Sequence, residues 1–337
     1  MRPNHYSLVG TPYLRGKKWG EVAGNDIKAL IEQDKYYIFT APIARNNRDN
    51  RWRHYYDIIA SYLPETADFL HGIAEGAGCD MQDIIALQCR RELSMPGDDC
   101  SLFAQNNADN SFIVQTIDLA KYSEPYGCLL HELDEEKKTR SLMYTLTGLA
   151  GYAGINGYGL AVGINMVRSS DWQPGIPPYL LVRHLLSLKT VEACLAELER
   201  LPRASSRCLT LLQGNNLTTV EMMATQLRYW RQQNSTHTNH YLHPDYLTVD
   251  AQLKTDSTEE RLFRLNYLIS QTGYFTQDKI LATLSDHVGE HGAICCHGRQ
   301  PLDAHTIAGI VLMPRQGKIA AVAGNPCQSH QFHEFIL

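Results

Sequence analysis

Long hydrophobic runs are missing from this sequence: no stretch approaches the roughly 18 to 20 apolar residues that a membrane-spanning helix needs. An excess of charge of either sign is missing too. Lysine and arginine number 31 against 36 acidic residues, a net charge of -5, which offers a polyanion no electrostatic footprint and argues against nucleic acid and anionic membrane as partners. The opening "MRPNHYSLVGTPYLRGKKWG" lacks the apolar core of a secretory signal, so the cytoplasm is the expected location. No two cysteines have C-x-x-C spacing, and the nine present are an odd number scattered along the chain. Neither a disulfide framework nor a zinc ribbon is indicated, and most of the cysteines read as small buried hydrophobes. Repeats and low-complexity linkers are absent as well, so the 337 residues, 44% of them hydrophobic, read as one domain with a substantial core.

What is present changes period along the chain. The first hundred residues read as helical: "DIKALIEQ", "RHYYDIIASYLPETADFLHGIAEGAG" and "DMQDIIALQCRREL" repeat apolar positions every three or four residues, with Asp80 placed to cap the last. From Cys100 onward "SLFAQ", "SFIVQTID", "CLLHELD" and "SLMYTLTG" alternate or run apolar over strand lengths. The glycine-dense "GLAGYAGINGYGLAVGINMV" reads as two strands joined by turns, because a phosphate-binding loop would be followed by a helix and a strand follows instead. Helices return at "PYLLVRHLLSL" and at "VEACLAELERL", opened by Thr190. Strands resume at "CLTLLQG", "TVEMMATQ" and "THTNHYL"; a capping box, Ser257 with Glu260, opens another helix; and "HTIAGIVLMP" and "KIAAVAGN" close the chain as strands. Helix blocks flanking antiparallel-looking strand runs predict an α+β fold rather than a βαβ repeat.

The stretch "GDDCSLFAQ" poses a chemical question. Asp98 and Asp99 should discourage ionisation of the Cys100 thiol, and a cysteine beginning a strand is ordinarily packing. The placement makes sense if the bond before Cys100 is meant to break. Attack of the thiol on the Asp99 carbonyl would give a thioester that water opens, leaving Cys100 as a new N-terminus. Its α-amine, with a pKa of about 7.7 to 8.0, would be uncharged in roughly one molecule in seven at pH 7. The nucleophile then carries its own general base.

The blocks "DDCSLFAQ", "FIVQTIDL", "GYAGINGYGLAVGIN" and "STHTNHYLHP" occur in this order. Together they resemble the penicillin acyltransferase-like branch of the N-terminal nucleophile hydrolases, in which self-cleavage exposes an internal cysteine. The resemblance implies a four-layer αββα sandwich in a single domain, cut between Asp99 and Cys100 into a helical α fragment, 1–99, and a β fragment, 100–337. It implies Cys100 as nucleophile, Asp118 as an acidic residue orienting the new α-amine, and Asn239 as a side-chain amide donating to the oxyanion, a contact typically worth about 2.7 to 4 kcal/mol. His240 is expected to support the strand that bears Asn239. The substrate implied is a small acyl amide or acyl thioester, acyl-CoA included, and no cofactor is called for. The chain departs from the penicillin-forming members at Asp99, where they carry glycine.

Other readings stay open on the residues themselves. His240 could serve Cys100 as the base of a papain-like thiol hydrolase that never cleaves itself, although a strand is an unusual setting for such a cysteine. Cys100 could be inert in a non-catalytic or zinc-binding protein. "HTNHYLH" carries His237, His240 and His243, and "DHVGEHGAICCHG" adds His287, His291, Cys295, Cys296 and His297. Neither has structural-zinc spacing, and adjacent residues of an extended chain such as Cys295 and Cys296 face opposite ways, so no metal ligand is expected. The acyl group, the choice between water and an amine as acceptor, and the formation of a homo-oligomer are not encoded in any local pattern.

Overall fold

The computed structural model describes residues 2–94, 100–108, 110–250, 253–289 and 291–337. The chain opens with β1 (Asn4–Val9), followed by α1 (Pro12–Tyr37), α2 (Pro42–Tyr62), α3 (Pro64–Ala77), α4 (Met81–Gln88) and α5 (Arg90–Ser94). Strands β2 (Leu102–Asn106), β3 (Ser111–Ala120), β4 (Gly127–Asp134), β5 (Thr139–Leu146), β6 (Ala153–Asn156) and β7 (Leu160–Met166) come next, then α6 (Pro178–Leu185) and α7 (Val191–Arg200). After β8 (Arg207–Gln213), β9 (Asn216–Met222), β10 (Leu227–Arg231) and β11 (Asn234–His237) come α8 (Leu247–Asp250), α9 (Asp256–Ser270) and α10 (Gln277–Leu284). The chain ends in β12 (Ala304–Met313), β13 (Lys318–Ala323) and β14 (His333–Ile336). No helix among the described residues is long and apolar enough to cross a membrane.

Two sheets stack between helical layers, the αββα arrangement expected. One has eight strands in the order β1-β4-β5-β6-β7-β8-β9-β10, and the other six in the order β11-β2-β3-β12-β13-β14. The six-stranded sheet shows why sequence alternation placed it. On β3, Ile113 and Ile117 join the large core shared with the other sheet, while Phe112 and Val114 join a second cluster with Leu265, Ile280 and Leu284 of α9 and α10. On β13, Ile319 and Ala321 face the first core, Ala320 and Val322 the second. Period two thus divides each strand between two cores. The sheets approach closely at Gly163 of β7, where a Cβ would lie 2.7 Å from the Leu102 side chain of β2. α1 and α3 press backbone to backbone: a Cβ on Gly16 would sit 2.0 Å from the Phe69 carbonyl oxygen.

Several expectations need correction. The first hundred residues are not wholly helical, since β1 pairs in parallel with β4, Asn4 opposite Cys128. The predicted strand "THTNHYL" stops at His237, so Asn239 and His240 lie in a loop. Thr190 does cap α7, accepting from the Ala193 N–H at 3.1 Å, and Asp80 occupies the cap position of α4 without a side-chain bond. The Ser257–Glu260 box does not form. Thr255 precedes α9, Ser257 accepts from Arg261 Nε at 3.2 Å, and Glu260 accepts from the His291 N–H at 2.9 Å.

Candidate active site

Cys100 lies just ahead of β2, 1% exposed. The pairing of β2 with β3 extends past the strand end to fix its neighbour: the Thr116 N–H donates to the Ser101 carbonyl at 2.9 Å, and the Ser101 N–H donates to Thr116 Oγ1 at 3.0 Å. Thr116 Oγ1 in turn donates a hydrogen bond to Asp118 Oδ2 at 3.1 Å, two residues along the same face of β3. The other Asp118 oxygen accepts from Thr306 Oγ1 at 2.6 Å. Thr306 of β12 stands directly opposite Asp118, and the register shifts between Thr306 and Ala308, a bulge of the kind that re-aims side chains. Asp118 is fully buried, and its carboxylate reaches the residue after the cysteine through one threonine.

The remaining contacts come from outside this sheet pairing. Asn239, in the loop after β11, accepts the Cys100 N–H on Oδ1 at 2.8 Å, while its Nδ2 donates to the Met166 carbonyl at 2.9 Å. Its backbone N–H donates to Thr258 Oγ1 at 2.6 Å. Arg261 of α9, fully buried, donates from Nη2 to Asn239 Oδ1 at 2.8 Å and from Nη1 to the Cys100 carbonyl at 3.0 Å and Ser101 Oγ at 3.1 Å. Asn165 of β7 donates to the same Cys100 carbonyl at 3.2 Å, and its Oδ1 is buried with no hydrogen-bond donor among the described residues. The Cys100 sulfur lies 3.4 Å from the Tyr152 hydroxyl. The nitrogen, carbonyl and sulfur of one cysteine are thus each held, with a permanently charged guanidinium beside them. Such donors in a dry setting suit a reaction in which negative charge develops on an acyl oxygen.

Of the residues singled out from sequence, Cys100 and Asn239 are in direct contact, and Asp118 reaches Ser101 through Thr116. Asp99 lies outside the described residues. His240 directs Nδ1 to Thr258 Oγ1 at 2.9 Å, the same hydroxyl that holds the Asn239 backbone, and burial, with the His237 charge adding to it, pushes its pKa down to about 4. His240 therefore braces a loop rather than a strand. The three histidines of "HTNHYLH" part company: His237 Nε2 lies 3.0 Å from Glu221, His240 turns to Thr258, and His243 accepts from the Asp245 N–H at 3.2 Å. The second group also separates, His291 pairing with Glu260, while His287, Cys295 and His297 come together with Cys327. Sequence reading missed Tyr152, Asn165 and Arg261. The first two sit inside the quoted "GYAGINGYGLAVGIN", where glycine turns drew the attention; Arg261 carries no local signal.

The sequence profile of the acyl-coenzyme A:6-aminopenicillanic acid acyl-transferase family matches residues 105–328, a stretch that holds Asp118, Asn165, Asn239 and Arg261 and begins just after Cys100. No curated protein matches the chain. Among solved structures, the fold is similar to penicillin V acylase from Agrobacterium tumefaciens, with a TM-score of 0.44 and 14% identity over 66% of this chain and 82% of that one. It is also similar to a mutant conjugated bile acid hydrolase from Clostridium perfringens, with a TM-score of 0.48 and 11% identity over 71% of this chain and 92% of that one. With more than half of its length matched by one family profile, and with that match spanning the residues gathered around Cys100, the protein belongs to the acyl-coenzyme A:6-aminopenicillanic acid acyl-transferase family.

Proposed function

We propose that this member of an acyl-transferring family cuts its own chain between Asp99 and Cys100 and then uses Cys100 as an N-terminal nucleophile on a small linear amide or acyl thioester. The observation that carries the reading is the convergence of Asn239, Arg261 and Asn165 on the backbone nitrogen and carbonyl of a single buried cysteine. Packing alone does not require a thiol's own backbone to be held by three polar side chains from three distant segments.

In the first step the thiol adds to the Asp99 carbonyl carbon and the Asp99–Cys100 C–N bond breaks. The thiol proton passes to the departing nitrogen, and residues 1–99 remain as a thioester on the sulfur. Water opens that thioester, giving an Asp99 carboxylate and a Cys100 bearing both thiol and amine. In turnover the amine takes the thiol proton as sulfur attacks the substrate carbonyl. Asn239 Oδ1, already hydrogen-bonded to this nitrogen, orients it, and the second Nδ2 hydrogen of Asn239, with the Arg261 guanidinium, favours the tetrahedral oxyanion. Asp118, tied to Ser101 through Thr116, is the acidic group assigned to orient the protonated amine. The amine or thiol of the substrate leaves with a proton, and the acyl-Cys100 goes to water or to a small amine. Water's access to that intermediate decides between hydrolysis and transfer.

Intact-mass measurement tests the first step. The wild-type protein is expected as fragments 1–99 and 100–337, and Cys100→Ala as one full-length species. Incubation with a panel of N-acyl amides and acyl thioesters should then place a covalent acyl adduct on the larger fragment, its mass naming the acyl group. A folded wild-type protein that stays in one piece and acquires no adduct overturns the reading.

A further inference from the structure

We propose that His287, Cys295, His297 and Cys327 bind one divalent cation of the zinc class, held tetrahedrally by two thiolates and two imidazoles. The donor atoms of these residues all lie within 4.8 Å of one another. Zinc bonds of about 2.3 Å to sulfur and 2.0 to 2.1 Å to nitrogen put neighbouring corners of a tetrahedron roughly 3.3 to 3.8 Å apart. His297 Nε2 lies 3.2 Å from Cys327 Sγ, 3.7 Å from Cys295 Sγ and 3.1 Å from His287 Nε2, so three edges already have close to this length. Soft sulfur with imidazole is the donor set that selects zinc over magnesium or calcium.

The surrounding backbone is built to hold the ligands. The Cys295 sulfur receives the Asn325 Nδ2–H at 3.6 Å and the Cys327 backbone N–H, the outer hydrogen bonds that a metal-bound thiolate uses to spread its charge. The Cys295 N–H is fixed to the Asp286 carbonyl at 2.9 Å, the Gly298 N–H to His305 Nδ1 at 3.1 Å, and the Cys296 carbonyl to Asn325 Nδ2 at 2.7 Å. Cys296 is turned away, its sulfur on the Ala293 carbonyl at 3.0 Å. Alternation therefore does separate the adjacent cysteines, and the fourth ligand comes instead from the turn after β13. On binding, two thiol protons leave to solvent as two sulfur–metal bonds form, with no change of oxidation state.

The clamp would join the segment before β12 to the turn after β13. That segment also braces Thr306, whose N–H donates to the Cys296 carbonyl at 3.0 Å and whose Oγ1 accepts from the Cys296 N–H at 2.8 Å while donating to Asp118. The site is thus a structural support behind the Asp118 carboxylate, and it stands whether or not Cys100 is the nucleophile.

Protein purified under reducing conditions with added zinc, then dialysed, should retain one equivalent of zinc by elemental analysis. Cobalt(II) in its place should give tetrahedral d–d bands with sulfur-to-metal charge transfer. His287→Ala, at an exposed position, and Cys327→Ser, at a half-buried one, should each lower retention at least about tenfold, and Cys296→Ser should leave it unchanged. Removing the metal should lower the melting temperature by several degrees. Any one of three results overturns the proposal: no retained zinc and no cobalt spectrum; zinc that survives both ligand variants; or a Cys295–Cys327 disulfide that persists in wild-type protein purified under reducing conditions.

Discussion

The part of the candidate site that rides on β2 and β3 and the part that hangs from the loop after β11 meet at the same cysteine, yet they are held in place by different means. Ser101, Thr116 and Asp118 are placed by strand register: the ladder bond from Thr116 N–H to the Ser101 carbonyl would form with many side chains at these positions. Asn239 has no ladder beneath it. Its position depends on the Thr258 hydroxyl, the Met166 carbonyl and the Arg261 guanidinium, so side chains of α9 do for the loop what backbone does for the strands. A site half fixed by backbone and half by side chains should lose function far more readily through substitutions in the second half.

The largest test is Arg261→Met. It removes charged donors from the Cys100 carbonyl, Ser101 Oγ and Asn239 Oδ1 together, and with bonds to charged groups worth about 1.5 to 3 kcal/mol each, a loss on the order of 3 kcal/mol in folding stability is expected. Self-cleavage and acyl turnover should fall by more than about a hundredfold. Arg261→Lys keeps the charge but not the planar fork, so it should recover stability more than turnover. Urea unfolding measured beside intact mass separates the two, and wild-type cleavage in Arg261→Met would mean that the loop half is scaffolding.

A matched pair sharpens the comparison. Thr258→Val removes the hydroxyl shared by the Asn239 N–H and His240 and should weaken folding by about 1 to 3 kcal/mol, with turnover falling at least about tenfold. Thr116→Val removes the same group from the strand half and takes an acceptor from the Ser101 N–H and a donor from Asp118 Oδ2, but its own N–H still holds the Ser101 carbonyl and Thr306 still holds Asp118. Its effect should stay near 1 kcal/mol, with turnover lowered less than in the loop variant. Equal losses in the two variants would erase the distinction.

Cys100, Asp118 and Asn239 were singled out through the family resemblance of the blocks that carry them, and strand alternation alone would have left Cys100 as packing; the structure puts Asn239 on Cys100 and links Asp118 to Ser101 through Thr116. Arg261 was not singled out. In "TEERLFRLNYLIS", Arg261 and Arg264 look alike on a polar helix face, yet one is fully buried against Cys100 and the other pairs with Asp286 at 2.6 Å. Nothing in the local spacing says which of the two faces inward. Cys327 was invisible for a related reason. The dense run near Cys295 suggested His291 and Cys296 as companions of His287, whereas tertiary structure sends those two elsewhere and brings a residue from beyond β13. The strands that went unread, β1, β10 and β14, are the outer members of their sheets, where one row of backbone has no partner and burial leaves little alternation. β10, for one, has no fully buried residue along its length.

The smallest test concerns pH and again sets loop against strand. His240 titrates at about 4 in the folded chain, held down by burial and by His237, against an ordinary 6.5. Between those values the unfolded chain takes up a proton that the folded chain refuses, so stability should fall as pH drops from 6.5 toward 4, with the contribution complete above 6.5. His240→Gln carries no such proton and should flatten that part of the curve while changing stability at pH 7 to 8 little. Because His240 shares Thr258 with Asn239, acidification should also loosen the loop's hold on the Cys100 nitrogen, a bond that belongs to no ladder. Burial also holds His5, His131, His297 and His305 below the ordinary imidazole value, so the effect is read as the difference between wild-type and His240→Gln denaturant midpoints from pH 5 to 8, above the range of ordinary carboxylates. An unchanged slope in His240→Gln would mean that the acid sensitivity of the fold lies outside the loop.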